Sequence, residues 1–235
     1  MIINNTFKFI FVHVPKSAGT TVTKLLSGYS AYCDIEVGGT ALGEAVQPFF
    51  RNRYGLSKHS TATEIRTVVG EAIWKRYFTF AFVRNPYARA HSSFRFLRRM
   101  RNETGLDVLA PLDGMATFQD FVKSAYFQTE GMDRILMPQS FWLQSAMRKP
   151  AISLDYVGRV EAIEDSLRHI ANQVPGLFKG GGEIEVPVLN SSDDPNEEGW
   201  QTLISDRGIE RLVFEKYRPD FEAFGYARVE PSGRP

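Results

Sequence analysis

The segment Pro-Lys-Ser-Ala-Gly-Thr-Thr, at residues 15–21, gathers side chains that suit the binding of a phosphate group. Lys16 offers a mobile positive charge, Gly19 allows the backbone to approach a ligand closely, and the two threonines offer hydroxyl donors. The apolar run 7–14 before it predicts a buried strand, and a helix is predicted over 19–28. Free N–H groups at the start of a helix attract anions. The residues predicted to contact the phosphate are Lys16, Ser17, Ala18, Gly19, Thr20 and Thr21.

The order of these residues differs from that of an ATP-binding Walker A loop. That pattern, Gly-x-x-x-x-Gly-Lys-Ser/Thr, places its lysine directly after a glycine and its Mg²⁺-binding hydroxyl directly after the lysine. In this sequence Lys16 precedes Gly19, and no acidic Mg²⁺-binding motif is visible. A nucleotide or small-molecule kinase is therefore the first alternative function. A non-catalytic nucleotide-binding protein of the same fold is the second.

A second predicted strand-to-helix junction repeats the arrangement. The apolar run 77–83 is followed by Arg84, and Pro86 then opens a basic helix. Ser92 lies eight residues beyond Arg84, about two helical turns, so both side chains can reach an anion that lies along the helix. Two phosphate sites at the ends of two parallel strands suit a nucleotide with phosphates at both ends of its ribose. That is the shape of 3′-phosphoadenosine 5′-phosphosulfate (PAPS). The other arginines of the helix are interpreted as a solvated basic face: Arg89, Arg95, Arg98, Arg99 and Arg101.

The two motifs, "PKSAGTT" and "RNPYARAHSS", resemble the 5′- and 3′-phosphate motifs of the PAPS-dependent sulfotransferase superfamily. The similarity is greatest to the carbohydrate branch that contains heparan sulfate 2-O-sulfotransferase. The segments "DYVGRVEAIEDSL" and "YRPDFEAFGY" extend the likeness over about residues 7–226. The resemblance implies transfer of a sulfuryl group from PAPS to a hydroxyl, with 3′-phosphoadenosine 5′-phosphate (PAP) as product and no metal. It also implies a glycan or glycoconjugate acceptor, and a Lys16 that stabilises the leaving group.

A hydroxyl acceptor benefits from a general base whose pKa is near neutrality, and histidine is the first candidate. His59 lies in a polar loop between the two phosphate motifs, the region from which the resembling sulfotransferases supply a base. The neighbouring Lys58 favours a neutral imidazole. We therefore predict His59 as the base, with Glu44 as the fallback. The remaining histidines are expected to serve the core or the surface: His13, His91 and His169.

Two further segments are assigned less closely. Asn190 and Ser191, which follow a short predicted strand, are expected to contact the adenine or the 3′-phosphate side of the donor. Gln139, Phe141 and Trp142 combine an amide with two aromatic rings, which suits a sugar. Core packing is the alternative for Trp142.

Strands alternating with helices predict an α/β fold with a mostly parallel central sheet and helices on both faces. The resemblance makes this the sulfotransferase version of the P-loop nucleotide-kinase fold, as a single domain over residues 1–235. The predicted strands are 7–14, 33–37, 77–83 and 156–160, and the main predicted helices are 19–28, 40–54, 63–77 and 205–218.

The overall composition narrows the expected partners and location. The net charge is +1, which argues against nucleic acid or an anionic membrane as a partner. Cys33 is the only cysteine, so no disulfide forms within the chain, and no zinc-ligand spacing is present. No apolar run is long enough to span a bilayer, and no signal peptide is visible. We expect a cytoplasmic protein; the sequence gives no signal for its oligomeric state.

Overall fold

The computed structural model describes residues 1–144, 154–178 and 199–229. The chain divides into two compact units. The sheet unit comprises Met1–Val83 and Gln139–Leu189, and the helical unit comprises Arg84–Pro138 and Asn190–Pro235. The single domain expected over residues 1–235 stays a prediction.

The described residues of the sheet unit form an open mixed sheet. Its strands are β1 (Ile2–Asn4), β2 (Phe9–Val12), β3 (Ile35–Glu36), β4 (Phe78–Val83) and β5 (Tyr156–Arg159). In the order β3-β1-β2-β4-β5, the neighbours β2, β4 and β5 run parallel, whereas β1 is antiparallel to both β2 and β3. The predicted α/β class with a parallel core is confirmed. Strand β1 was not predicted, because three residues are too few for a recognisable strand pattern.

The described α-helices follow in chain order. They are α1 (Gly19–Ser27), α2 (Ala41–Tyr54), α3 (Ala62–Val69), α4 (Glu71–Arg76), α5 (Pro86–Thr104), α6 (Phe118–Lys123), α7 (Ala125–Gln128), α8 (Gln139–Leu143), α9 (Ile163–Gln173), α10 (Trp200–Leu203) and α11 (Arg207–Phe224). Within the described residues, no helix is long and apolar enough to cross a membrane.

An aromatic ladder fills one face of the sheet. Phe9 and Phe11 of β2 lie beside Phe80 of β4, with ring centroids 5.6 and 5.5 Å apart. Apolar residues of α1 and α9, among them Val22 and Leu167, complete this buried cluster. These contacts pack β2 tightly in the core, and the loop at residues 13–18 begins at the carboxyl end of this strand.

Two predicted helices differ from the structure. The helix predicted over 63–77 is divided into α3 and α4 at Gly70, whose φ of 81° is a conformation that glycine adopts without strain. The last helix was predicted to end before Pro219, but α11 continues to Phe224. A kink at Tyr217, with φ −107° and ψ 17°, accommodates the proline two residues later.

The helical unit has its own apolar core, formed mainly by α5, α6 and α11. One prediction for α5 is wrong: Arg89 is not part of a solvated face but is fully buried. Its guanidinium donates to the carbonyl oxygens of Ile135 and Met137 at 2.9 and 3.0 Å and lies over the ring of Tyr217. A buried charge requires such partners, which the sequence pattern alone does not reveal.

Candidate functional site

The loop between β2 and α1 has an unusual backbone. Lys16 and Ala18 both adopt left-handed conformations, with φ of 63° and 53°. This conformation is uncommon for residues other than glycine and costs about 1–2 kcal/mol for each. Left-handed residues at alternating positions turn successive N–H groups toward one side, which makes an anion-binding concavity. Ala18 is also the residue that caps α1, and its methyl group offers the first N–H groups of the helix no acceptor.

Gln139, the first residue of α8, stabilises the buried side of this loop. The Ser17 hydroxyl donates to the Gln139 side-chain oxygen at 2.9 Å, and both residues are buried. The hydroxyl of Ser17 is therefore engaged inside the protein, and its backbone N–H is the group left to serve a phosphate. Gln139 was offered as a sugar contact by the sequence, but in the structure its amide oxygen supports the loop.

The side chain of His13 leaves no room for a Cβ atom at Gly19, the first residue of α1. A Cβ atom at this position would lie 2.0 Å from both Cδ2 and Nε2 of His13. Gly19 was predicted to let a ligand approach the backbone closely, but in the structure the imidazole of His13 occupies the space of the absent Cβ. His13 is buried as expected, stacks on Phe11, and its Nδ1 has no hydrogen-bond partner among the described residues.

His59 lies against His13 in the sheet unit. The two rings are 4.7 Å apart and nearly perpendicular, and Nδ1 of His59 is 2.9 Å from the main-chain oxygen of His13. Because a carbonyl oxygen can only accept, Nδ1 carries the proton and Nε2 holds the lone pair. Burial lowers the pKa of His59 to about 4. The imidazole is therefore neutral at pH 7, and its tautomer is fixed by the backbone. This pKa lies below the near-neutral value that the sequence analysis expected of a general base.

The fallback base is less suitable. Glu44 accepts a hydrogen bond from the N–H of Gly39 at 2.9 Å and pairs with Lys58 at 3.0 Å. Partial burial tends to raise the pKa of Glu44, but these two partners outweigh it and lower that pKa. One oxygen of Glu44 is thus held by Gly39 and Lys58, and the other accepts from Gln47, whereas His59 keeps Nε2 as a proton-accepting nitrogen. The geometry therefore favours His59.

Trp142 of α8 packs near His59, whose ring also contacts that of His13. Its side chain is buried, and its ring lies 6.2 Å from that of His59. Burial favours the core-packing alternative over direct contact with a sugar. Phe141 packs edge-on against Trp142 and is half-buried.

The residues of the second predicted phosphate motif belong to the helical unit. Arg84 precedes α5, whose first turn is capped by the side chain of Asn85 through the N–H of Tyr87 at 3.0 Å. Pro86 occupies the first turn as predicted, and Ser92 is buried on the same helix. The predicted donor contacts Asn190 and Ser191 lie outside the described residues. Within the described ranges, no group of three or more His, Cys, Asp or Glu side chains is placed to hold a metal ion.

Sequence reasoning named Gln139 and His13 but missed their roles. Gln139 supports the loop from a position 122 residues away, and His13 packs against Gly19 and accepts a hydrogen bond from His59 through its main-chain oxygen. No local pattern marks either residue, because their roles arise from tertiary contacts. For His13, the apolar strand before the loop was the available sequence signal, because it places His13 at the carboxyl end of a buried strand.

The chain is similar to known proteins along nearly its whole length. The model of the Sulfotransferase family matches residues 1–227. Carbohydrate sulfotransferase 11 from Rattus norvegicus and from Mus musculus is 23% identical over 97% of this chain and 67% of each relative. An uncharacterised protein of Archaeoglobus fulgidus is 25% identical over 55% of this chain and 91% of its own length. No solved structure matches the chain significantly.

Proposed function

Because this chain belongs to the sulfotransferase family, we propose that it transfers a sulfuryl group from PAPS to a hydroxyl of a carbohydrate or glycoconjugate. The observation that carries the proposal is the loop between β2 and α1, with left-handed Lys16 and Ala18 before a helix start that has no side-chain cap. This loop is assigned to the 5′-phosphate of the donor. The main-chain N–H groups that would hold it belong to residues 17–21.

Two side chains of the sheet unit are assigned to the chemistry. Nε2 of His59 takes the proton of the acceptor hydroxyl as its oxygen attacks sulfur, and the bond from sulfur to the bridging oxygen breaks in line. The ammonium group of Lys16 stabilises the charge that collects on that bridging oxygen, and PAP leaves. PAPS supplies the activated sulfuryl group, so the protein contributes mainly position and electrostatic stabilisation.

The 3′-phosphate is assigned to the second motif. A guanidinium presents a planar fork of donors that suits a phosphate, and a serine hydroxyl adds a short donor. Arg84 and Ser92 are therefore proposed as its ligands, and Asn190 and Ser191 as contacts on the adenine or 3′-phosphate side. The motif likeness to PAPS-dependent sulfotransferases supports these four residues.

A carbohydrate acceptor is supported by the names of the two mammalian relatives, which are carbohydrate sulfotransferases. The engaged Nδ1 of His59 supports the hydroxyl class of acceptor, because it leaves Nε2 as the proton-accepting nitrogen.

Calorimetric titration with PAP tests the donor class, with AMP and ATP–Mg²⁺ as comparison ligands. We expect PAP to bind more tightly than AMP, and Arg84→Ala to weaken PAP binding tenfold or more, about 1.4 kcal/mol. Arg99→Ala, an exposed change on α5, the helix that follows Arg84, is the matched control and leaves the affinity unchanged. Binding of ATP–Mg²⁺ without preference for the 3′-phosphate would overturn the proposal and favour a kinase.

A non-catalytic nucleotide-binding protein is distinguished by turnover. PAP binding in a protein that transfers no sulfate from PAPS to any of a panel of mono- and polysaccharides would favour that alternative. Transfer that is lost in Lys16→Ala and His59→Ala, with PAP binding partly retained, would favour the enzyme.

A further inference from the structure

Helix α8 contacts the proposed phosphate loop at its first residue. Gln139 is fully buried, and its side-chain oxygen accepts the hydrogen bond from the Ser17 hydroxyl. Ser17 lies between Lys16 and Ala18, the two left-handed residues of the loop. Backbone in such a conformation persists only where its surroundings hold it in place. Gln139 therefore helps to hold the part of the loop whose N–H groups are assigned to the 5′-phosphate.

The same helix contacts the proposed base three residues later. Trp142 is buried, and its ring centroid lies 6.2 Å from that of His59 with the ring planes 60° apart. Side chains at positions i and i+3 of a helix are neighbours on its surface, as Gln139 and Trp142 are on α8. Nδ1 of His59 is held by the main-chain oxygen of His13 at 2.9 Å. The imidazole of His59 therefore contacts both α8 and the chain that leaves β2.

Helix α8 is itself anchored at several points in the sheet unit. Four of its five residues are buried: Gln139, Ser140, Trp142 and Leu143. The main-chain oxygen of Gln144, directly after the helix, accepts a hydrogen bond from the Thr63 hydroxyl of α3 at 2.8 Å. Thr63 follows His59 closely in sequence, so the segment that carries the base is joined to α8 at two places. A short helix anchored in this way cannot shift at one end without moving the other.

We propose that α8 positions the phosphate loop and the base together, with Gln139 and Trp142 as its positioning residues. An in-line transfer requires the donor and the base to be aligned, and a displacement of about 1 Å can cost about 100-fold in rate. The loop and His59 lie in different segments of the chain, so tertiary contacts must set the distance between them. The inference rests on the function proposed above and adds the element that sets this distance.

Core packing alone is the alternative role for the two side chains. A buried tryptophan stabilises the sheet unit wherever it lies, and Trp74 of α4 is another such residue, only 5% exposed. Core packing predicts that changes at Trp74 and Trp142 lower the free energy of unfolding and do nothing more. Positioning predicts in addition that changes on α8 alter both the affinity for PAP and the state of the His59 imidazole.

Two measurements on the full chain separate these roles. Calorimetry gives the affinity for PAP, and NMR of protein made with ¹⁵N-labelled histidine shows which imidazole nitrogens carry a proton. Because Nδ1 of His59 carries the proton and Nε2 does not, its two nitrogens should have well-separated chemical shifts. The signals of His59 are those that disappear in His59→Asn.

The variants remove one contact of α8 at a time. Gln139→Met keeps about the same volume but cannot accept the hydrogen bond from Ser17. Trp142→Ala removes the ring beside His59, and Trp142→Phe keeps a smaller one. The matched controls are Gln173→Met, an exposed change on α9, and Trp74→Phe.

We expect each α8 variant to change both measurements, although each removes only one contact. Gln139→Met should weaken PAP binding by about threefold to tenfold, the range for one buried hydrogen bond. It should also bring the two nitrogen shifts of His59 closer together, because an imidazole that is less firmly held exchanges between its tautomers. Trp142→Ala should act in the same direction on both, and Trp142→Phe should restore part of the loss. The controls should leave both measurements unchanged.

Independent effects would overturn the inference. If Gln139→Met changes only the PAP affinity and the Trp142 variants change only the shifts of His59, the two contacts act separately. If Trp74→Phe has as large an effect on His59 as Trp142→Phe, core packing explains the result. Should Trp142→Ala fail to fold, Trp142→Phe alone decides between these outcomes.

PAP selectivity in the unmodified chain separates this inference from the proposed function. Selective PAP binding, with unaltered His59 shifts in every α8 variant, overturns the inference and leaves the sulfotransferase proposal intact. Absence of PAP selectivity would instead overturn the proposed function, and the inference that rests on it.

Discussion

Replacing Gly19 by alanine tests how the proposed phosphate loop is joined to the proposed base. The added Cβ would lie 2.0 Å from Cδ2 and Nε2 of His13 and 2.8 Å from Cε1. Ordinary contact begins at 3.4 Å, so the ring or the loop must move by about 1.4 Å. The ring has little room, because Phe11 stacks on it and His59 lies against it.

The expected loss of stability follows from this overpacking. Added methyl groups in a tightly packed site typically cost about 1–3 kcal/mol. For a chain of this size, each kcal/mol corresponds to a melting temperature lowered by about 2–4 °C. Because the His13 carbonyl orients His59, we also expect turnover to fall more than PAP affinity.

Thermal and urea unfolding, with PAP titration, provide the assay, and Gly28→Ala is the control at the end of the same helix. There the nearest atom to an added Cβ is 3.8 Å away and φ is −63°, so the change should be neutral or slightly stabilising. The double variant His13→Ala with Gly19→Ala isolates the clash. Gly19→Ala should cost at least about 1 kcal/mol less in that background. An equal cost in both backgrounds would refute the reasoning.

Three further predictions concern single side chains. His59→Asn should lower turnover by about 10²–10⁴-fold with PAP affinity retained. In the unmodified enzyme, the proton-accepting form of His59 is lost only as pH falls through its pKa of about 4. Protonation of His59 should therefore not lower kcat/KM between pH 5 and 8. Ser17→Ala removes a buried hydrogen bond to the Gln139 side-chain oxygen and should cost about 1–3 kcal/mol in urea unfolding, whereas Ser27→Ala on the surface of α1 should cost far less. Arg89→Met removes the buried guanidinium that donates to two carbonyl oxygens and should cost about 2–3 kcal/mol, against under about 1 kcal/mol for the exposed Arg98→Met. Equal costs would contradict the assigned role of Arg89.

The sequence was informative where a local pattern determines the structure. The apolar runs before Lys16 and Arg84 became β2 and β4, and Pro86 opens α5 as its position predicts. The Sulfotransferase family match confirms the resemblance read from the two motifs. The roles of the individual site residues stay predictions.

Other features depend on contacts that no local pattern encodes. Arg89 was placed on a solvated face because basic residues surround it in sequence, but tertiary acceptors allow its burial. The continuation of α11 past Pro219 depends on the kink at Tyr217. The left-handed backbone of Lys16 and Ala18 carries no sequence signal, because neither residue type favours that conformation.

The sheet unit is built from two stretches that are far apart in the chain, and this affects how the protein can be made. Ser17 meets Gln139 across 122 residues, and β4 gains its neighbour β5 only when Tyr156–Arg159 exist. At about 5–20 residues per second, the ribosome delivers Gln139 about 6–24 s after Ser17. Until residues 156–159 have followed as well, β4 has an open edge that can pair with other chains. The support of the loop and the protection of the sheet edge from aggregation therefore both wait until more than half of the chain has been made.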